Sequence, residues 1–226
     1  PAHQFPTGVT MTVEQRQRLL ELAWNSNAYI IEDDYDGDFR YDGPPLRSLR
    51  ATDTNGCVIY LGSFSQTLGA GVRIGFMVLP FELIEPAIAV KSLLNKGNSW
   101  ANQVVLADMI ESGSYMRHLR RTRSIYLGNR NNLIRALKTA FDDVQLYGED
   151  GGAHLMWKLP PHFPNASALR EKSLQAGVGI YTTNTGDAHD FGGNGFFDRG
   201  VMLGYSSLSE KQVWESVSRI FSCVRG

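Results

Sequence analysis

Ser63, Ser65, Gln66 and Arg73 lie in one short segment, Gly62-Ser63-Phe64-Ser65-Gln66-Thr67-Leu68-Gly69-Ala70-Gly71-Val72-Arg73. A hydroxyl-rich turn, a nitrogen-bearing side chain, glycines and an arginine suit a phosphorylated aldehyde cofactor. The hydroxyls and the arginine would hold the phosphate, the arginine through charge-assisted bonds. A lysine in place of Gln66 would close an imine with the aldehyde. Gln66 instead carries an amide, whose delocalised lone pair cannot form that imine. Upstream, Asp33 and Tyr35 follow the apolar run Tyr29-Ile30-Ile31. A pyridine-ring cofactor needs an acid beside the ring nitrogen, which keeps the ring protonated and electron-withdrawing. Asp33 can supply that carboxylate, and Tyr35 can donate to a phenolic oxygen on the ring. Each residue alone has a plainer reading, since strand-end acids and Ser/Gly turns are common.

The elements around these residues alternate between helix and strand. Thr12-Val13-Glu14-Gln15 is a capping-box pattern, and Leu19, Leu20, Ala23 and Trp24 then share a helical face. Tyr29–Ile31 reads as a buried strand running into the acidic residues, and residues 37–56 as loop. Val58–Leu61 is a strand before the Gln66 turn, and Ile74–Leu79 a strand stopped by Pro80. Helices are predicted from about Ser99 to Ile110 and from about Ser114 to Phe141. Continuous apolar strands between helices predict a mostly parallel, covered sheet. Ligands gather at the C-terminal ends of strands in such sheets, where both polar clusters fall. The last third predicts a smaller α+β unit with strands at 154–159, 178–182 and 201–205, and a helix at 166–176. Its final helix has two candidate capping pairs, Ser207 with Glu210 and Ser209 with Gln212. The expected division is 1–98, part of a large domain; 99–141, connecting helices; and 142–226, a small domain.

Composition narrows the function classes. The chain has 226 residues and a formal net charge of -1, which gives no reason to expect nucleic-acid or membrane binding by these residues. Arg117, Arg120, Arg121, Arg123 and Arg130 form a basic stretch, read as a solvated helix face because no aromatics interleave for base stacking. Cys57 and Cys223 make no metal spacing and fit a reducing, cytoplasmic setting. No apolar run approaches the roughly 20 residues of a membrane span. The five histidines, His3, His118, His154, His162 and His189, show no metal-ligand spacing. His189 with Asp187 and Asp190 reads as a polar loop. No Walker motif, dinucleotide fingerprint or GxSxG elbow is present. The chain opens on Pro1 and reads as processed, cropped or a piece of something longer.

The run Tyr29–Phe39, YIIEDDYDGDF, followed by Arg40-Tyr41, resembles the IIEDDYDSEF-type signature of MocR/GabR-type transcriptional regulators. Pro1–Gly8 is similar to their PSHQFPTG element, and Val58–Arg73 is also similar. The resemblance implies a winged-helix DNA-binding domain joined to an aminotransferase-like domain that binds pyridoxal 5′-phosphate. It implies an α/β, fold-type-I transferase-like fold: a partial, mostly parallel large-domain sheet plus a smaller C-terminal α+β domain. Carried over by motif, Asp33 pairs the ring nitrogen and Tyr35 the ring oxygen. Ser63, Ser65 and Arg73 bind phosphate, and Gln66 takes the Schiff-base lysine position. Ordinary class I aminotransferases share the fold but usually carry Asn-Pro-Thr-Gly where this chain has Phe5-Pro6-Thr7-Gly8. Gly204-Tyr205-Ser206-Ser207-Leu208 resembles a GFARL-type stretch whose arginine reads the carboxylate of GABA. That arginine is absent here, so GABA sensing is not carried over, and Ser207 reads as a helix cap.

The expected function is an effector-sensing and dimerisation domain that binds pyridoxal 5′-phosphate without a covalent link, with little or no transamination. Its expected partners are a small amine or amino-acid effector and a second copy. DNA is expected only through a winged helix outside these residues. The alternatives are a fragment or lysine-to-glutamine variant of a class I/II aminotransferase, and a structural dimerisation module with a dead pocket.

Overall fold

Thr12 opens the first helix by the predicted reciprocal bonds. Its hydroxyl accepts from Gln15 N, and the Gln15 side chain accepts from Thr12 N. In the computed structural model, which describes residues 1–44, 46–95, 100–183 and 197–225, this helix is α1, Val13–Asn25. The chain divides into two compact units. The first comprises Pro1–Ala2, Thr10–Asp38 and Pro44–Thr122; the second comprises His3–Val9, Phe39–Gly43 and Arg123–Gly226.

In the first unit, β1 (Ile30–Asp34) pairs parallel with β2 (Val58–Ser63), with Asp33 opposite Leu61 and Asp34 opposite Gly62. β3 (Gly75–Val78) pairs antiparallel with β2, with Ser63 opposite Gly75. The strand order is β1-β2-β3. The mixture has a simple cause: the β2–β3 connection is too short for the crossover of a dozen or more residues that a parallel return requires. One side of this sheet is packed by Leu20, Ala23, Leu49, Cys57 and Val58, which join α1 to α2 (Leu49–Thr52) and β2. The expected covering is incomplete among the described residues, since every residue of β3 is exposed.

Residues 37–56, expected to be loop, contain α2 and a 3-10 turn at Gly37–Phe39. Buried Glu32 accounts for part of this order. Its carboxylate accepts from Leu49 N at 2.8 Å and Arg50 N at 3.0 Å. Three helices follow: α4 (Phe81–Asn95), α5 (Trp100–Glu111) and α6 (Ser114–Ala140). No helix among the described residues is long and apolar enough to cross a membrane.

The second unit is built on an antiparallel sheet ordered β4-β5-β7-β6, from Gln145–Tyr147, His154–Lys158, Gly200–Gly204 and Tyr181–Thr182. Leu155, Trp157, Val201 and Tyr205 pack with Leu169 of α7 (Ala166–Gln175) and with Val213, Val217 and Ile220 of α8 (Glu210–Arg225). The capping pair that forms is Ser209 with Gln212, at 2.9 and 3.3 Å. Ser207 is therefore no cap; it is an exposed turn residue before Ser209. The solvated-face reading of the basic stretch fails at Arg130. That side chain is buried, pairs with Asp42 at 2.6 Å and lies over the Tyr41 ring. Also within this unit, His3 and His154 meet edge to face, with ring centroids 4.9 Å apart. Asp187, His189 and Asp190 lie outside the described residues.

Candidate functional site

Parallel pairing puts the C-terminal ends of β1 and β2 at one sheet edge, and antiparallel pairing brings the start of β3 to the same edge. Asp33 and Tyr35 come from the first strand end, Ser63, Ser65 and Gln66 from the second, and Arg73 precedes the third. All six belong to the first unit.

The Gln66 turn is tightly organised. The Ser63 hydroxyl accepts from Ser65 N at 3.1 Å, leaving its own proton free to donate. Phe64 N donates to Ile74 O at 3.0 Å, tying the turn to the start of β3. The short helix α3, Ser65–Leu68, then turns Thr67 inward and Gln66 outward. Arg73 has φ 51 and ψ 40, a left-handed conformation rare for a residue with a side chain. Strained backbone of this kind clusters at ligand-binding sites.

No hydrogen bond or ion pair among the described residues engages the Asp33 carboxylate, the Gln66 amide or the Arg73 guanidinium, although the N-terminal ammonium attracts Asp33. Burial, then the neighbouring charges of Asp34 and Asp36, push the Asp33 carboxyl above its ordinary range. Tyr35 is pushed well up by burial, by the charge of Asp36 and by its hydrogen bond to that carboxylate. It therefore remains a protonated phenol at neutral pH.

Several residues that support this edge were not identified from sequence. Tyr60 donates to Asp34 at 2.6 Å. Behind the Gln66 turn, the buried Tyr115 reaches the Thr67 hydroxyl at 3.3 Å and Asp38 at 3.4 Å. His118 Nε2 lies 2.7 Å from Thr67 O and 3.4 Å from the Thr122 hydroxyl. The Phe64 and Tyr115 rings meet edge to face, with centroids 5.7 Å apart. Tyr115, His118 and Thr122 follow helical spacing on α6. That spacing was the available signal, but it does not say which turn they face.

A family model described as aminotransferase class I and II matches residues 4–189. The chain is 37% identical, over 97% of its length, to 46% of YhdI of Bacillus subtilis, an uncharacterized HTH-type transcriptional regulator. It is 31% identical, over 98% of its length, to 44% of the probable rhizopine catabolism regulatory protein MocR of Rhizobium meliloti. It thus spans about half the length of the curated relatives it matches. Pyrococcus horikoshii kynurenine aminotransferase, solved with PMP, is similar over 100% of this chain and 55% of that one, with 28% identity and a TM-score of 0.86. The fold is therefore the fold-type-I aminotransferase fold. The extent of the family match shows that the chain belongs to the class I and II aminotransferase family.

Proposed function

We propose that this chain is the ligand-sensing, aminotransferase-like part of a MocR-type transcription regulator, and that its sheet edge holds pyridoxal 5′-phosphate without a covalent link. The observation that carries the reading is a set of groups at one edge with no hydrogen bond or ion pair among the described residues: a carboxylate at Asp33, an amide at Gln66 and a guanidinium at Arg73. The residues present fit the cofactor. Arg73 answers the phosphate charge, and Ser63 and Ser65 add hydroxyl donors. Asp33, whose charge is disfavoured by burial and then by Asp34 and Asp36, gains from a protonated ring nitrogen. Tyr35, held protonated, reaches the ring oxygen as a donor once its hydroxyl turns from Asp36.

When bound, the cofactor supplies an aldehyde to which an amino group can add. Gln66 cannot replace the lysine of an enzyme, because an amide does not titrate in the useful range. Loss of a positioned general base costs about 10²–10⁴-fold in rate. The site therefore suits sensing better than turnover. A small amine or amino acid is the effector class, acting by binding one conformation more tightly than another. A homodimer, a winged helix elsewhere in a longer protein as the DNA-binding part, and a cytoplasmic setting complete the reading. The likeness to kynurenine aminotransferase favours a second reading, a fragment or lysine-to-glutamine variant of an enzyme; Gln66 weighs against turnover there too.

The test is titration of the chain with pyridoxal 5′-phosphate, followed by tryptophan fluorescence and absorbance. Saturable binding is expected, weakened about tenfold or more in Arg73→Ala by loss of a charge-assisted phosphate contact. Failure to saturate would sink the reading.

A further inference from the structure

A groove of about 600 Å³ runs beside α1 within the first unit, and none of the six candidate cofactor residues lines it. Val13, Gln17, Leu20 and Trp24 recur at i, i+4, i+7 and i+11, so they form one stripe of the helix along this groove. Leu20 is buried beneath it, and Trp24 is half-buried beside it. The other wall is the segment around α2, which contributes Leu46 and Arg47. The volume lies within the roughly 300–1,000 Å³ of small-molecule sites.

Both walls are held by bonds of the protein itself. Trp24 Nε1 donates to Asp53 at 3.2 Å, which fixes the plane of the indole. Arg16 donates to Met11 O at 3.3 Å and to Arg47 O at 2.6 Å, tying the start of α1 to the opposite wall. Just beyond, Leu49 N and Arg50 N donate to buried Glu32. The backbone of Arg47 is therefore held on both sides while its side chain is exposed. Glu21 on α1 is also exposed and lines the same groove. No hydrogen bond or ion pair among the described residues engages the Glu21 carboxylate or the Arg47 guanidinium. The groove thus joins an apolar, partly aromatic floor to a carboxylate on one wall and a cation on the other. Groups held in place before binding lower the cost of ordering them.

We propose that this groove is a second ligand site and that it binds an aromatic α-amino acid. The carboxylate of the ligand pairs with Arg47 through charge-assisted bonds, and its ammonium pairs with Glu21. Its ring lies against Trp24 and Leu20. The charge of Arg16 adds to the pull on the carboxylate. An aromatic acid without an ammonium meets Glu21 with like charge, and an aromatic amine without a carboxylate meets Arg47 with like charge. The inference does not rest on the cofactor reading, because it uses different residues.

The experiment is isothermal titration calorimetry of the chain, without cofactor, with L-phenylalanine, hydrocinnamate and phenethylamine. The last two keep the ring and lack the ammonium and the carboxylate respectively. L-phenylalanine is expected to bind about fivefold more tightly than either, the upper end for one exposed ion pair. In amide NMR it should shift the Trp24 indole N–H and the Arg47 N–H. Arg47→Ala should erase its advantage over phenethylamine, and Glu21→Gln its advantage over hydrocinnamate. Both positions are exposed. Arg73→Ala should leave phenylalanine binding unchanged. Failure of phenylalanine to saturate would overturn the proposal and leave the cofactor reading standing. Equal affinities for the three compounds, or an advantage that survives both groove variants, would overturn the roles of Glu21 and Arg47. Binding lost in Arg73→Ala but kept in Arg47→Ala would place the amino acid at the sheet edge and overturn the groove as its site.

Discussion

His118 Nε2 lies 2.7 Å from the carbonyl oxygen of Thr67, so α6 is hydrogen-bonded directly to the turn that presents Gln66. Tyr115, one turn earlier on α6, reaches the Thr67 hydroxyl. Tyr115→Phe keeps the buried ring and removes that contact. It should cost about 0.5–1.5 kcal/mol and speed amide exchange across residues 64–68. Tyr115→Ala removes the ring as well and should cost about 3–5 kcal/mol by analogy with other buried aromatics. Denaturant unfolding with hydrogen exchange separates the two effects. Equal losses in both variants would show that the hydroxyl, and not the ring, dominates.

Placing a nucleophile at position 66 tests where an aldehyde cofactor would sit. Gln66→Lys, incubated with pyridoxal 5′-phosphate, should develop a visible absorption band. Borohydride should then fix the cofactor to position 66, as read by peptide mass. Modification confined to Lys91 or other lysines would show that the turn does not face the reactive carbon.

Asp33 makes a prediction about both stability and ligand binding. Burial, followed by Asp34 and Asp36, raises its pKa, so the folded state disfavours its charge. That cost is present above its raised folded pKa and fades as pH falls and the carboxyl protonates. Asp33→Asn should therefore raise Tm at neutral pH, with the gain shrinking toward about pH 4. The same variant should bind pyridoxine 5′-phosphate more weakly, because a protonated ring nitrogen loses its counter-charge. Thermal scans at two pH values and one titration check both halves.

Gly8 and Gly56 share a φ of 71, yet their surroundings differ. A Cβ on Gly8 would lie 2.5 Å from Gly148 Cα, a backbone contact, whereas one on Gly56 would meet nothing within 4 Å. Gly56→Ala should cost about 1–2 kcal/mol from the left-handed backbone alone. Gly8→Ala should cost clearly more, because the backbone of Gly148 must also move. Urea midpoints for the two variants decide it.

The site-bearing strands were readable because their apolar runs end in residues with evident chemistry. α1 was readable because its cap is local, with Thr12 and Gln15 three positions apart. α2 was hidden because buried Glu32, far away in sequence, helps hold its first amides. α4 gave no signal because its apolar residues are spread around it, with Phe81, Ile88 and Leu93 exposed and Pro86 in its interior. Arg130 looked solvated in a run of arginines, and its burial depends on Asp42 and Tyr41 far upstream. The six candidate residues were found one strand end at a time. The support given by Tyr115 and His118 needed the packing of α6.

The three-stranded order β1-β2-β3 leaves two borders with no strand beside them among the described residues. Among the described residues, each border lacks a strand to pair its outward amide and carbonyl groups, a ready template for another extended chain. On the third strand, Phe76, Met77 and Val78 add exposed apolar side chains to that template. In the laboratory this predicts a protein whose stickiness rises with concentration. Light scattering should therefore accompany every titration, so that a heat or fluorescence change from clumping is not mistaken for ligand.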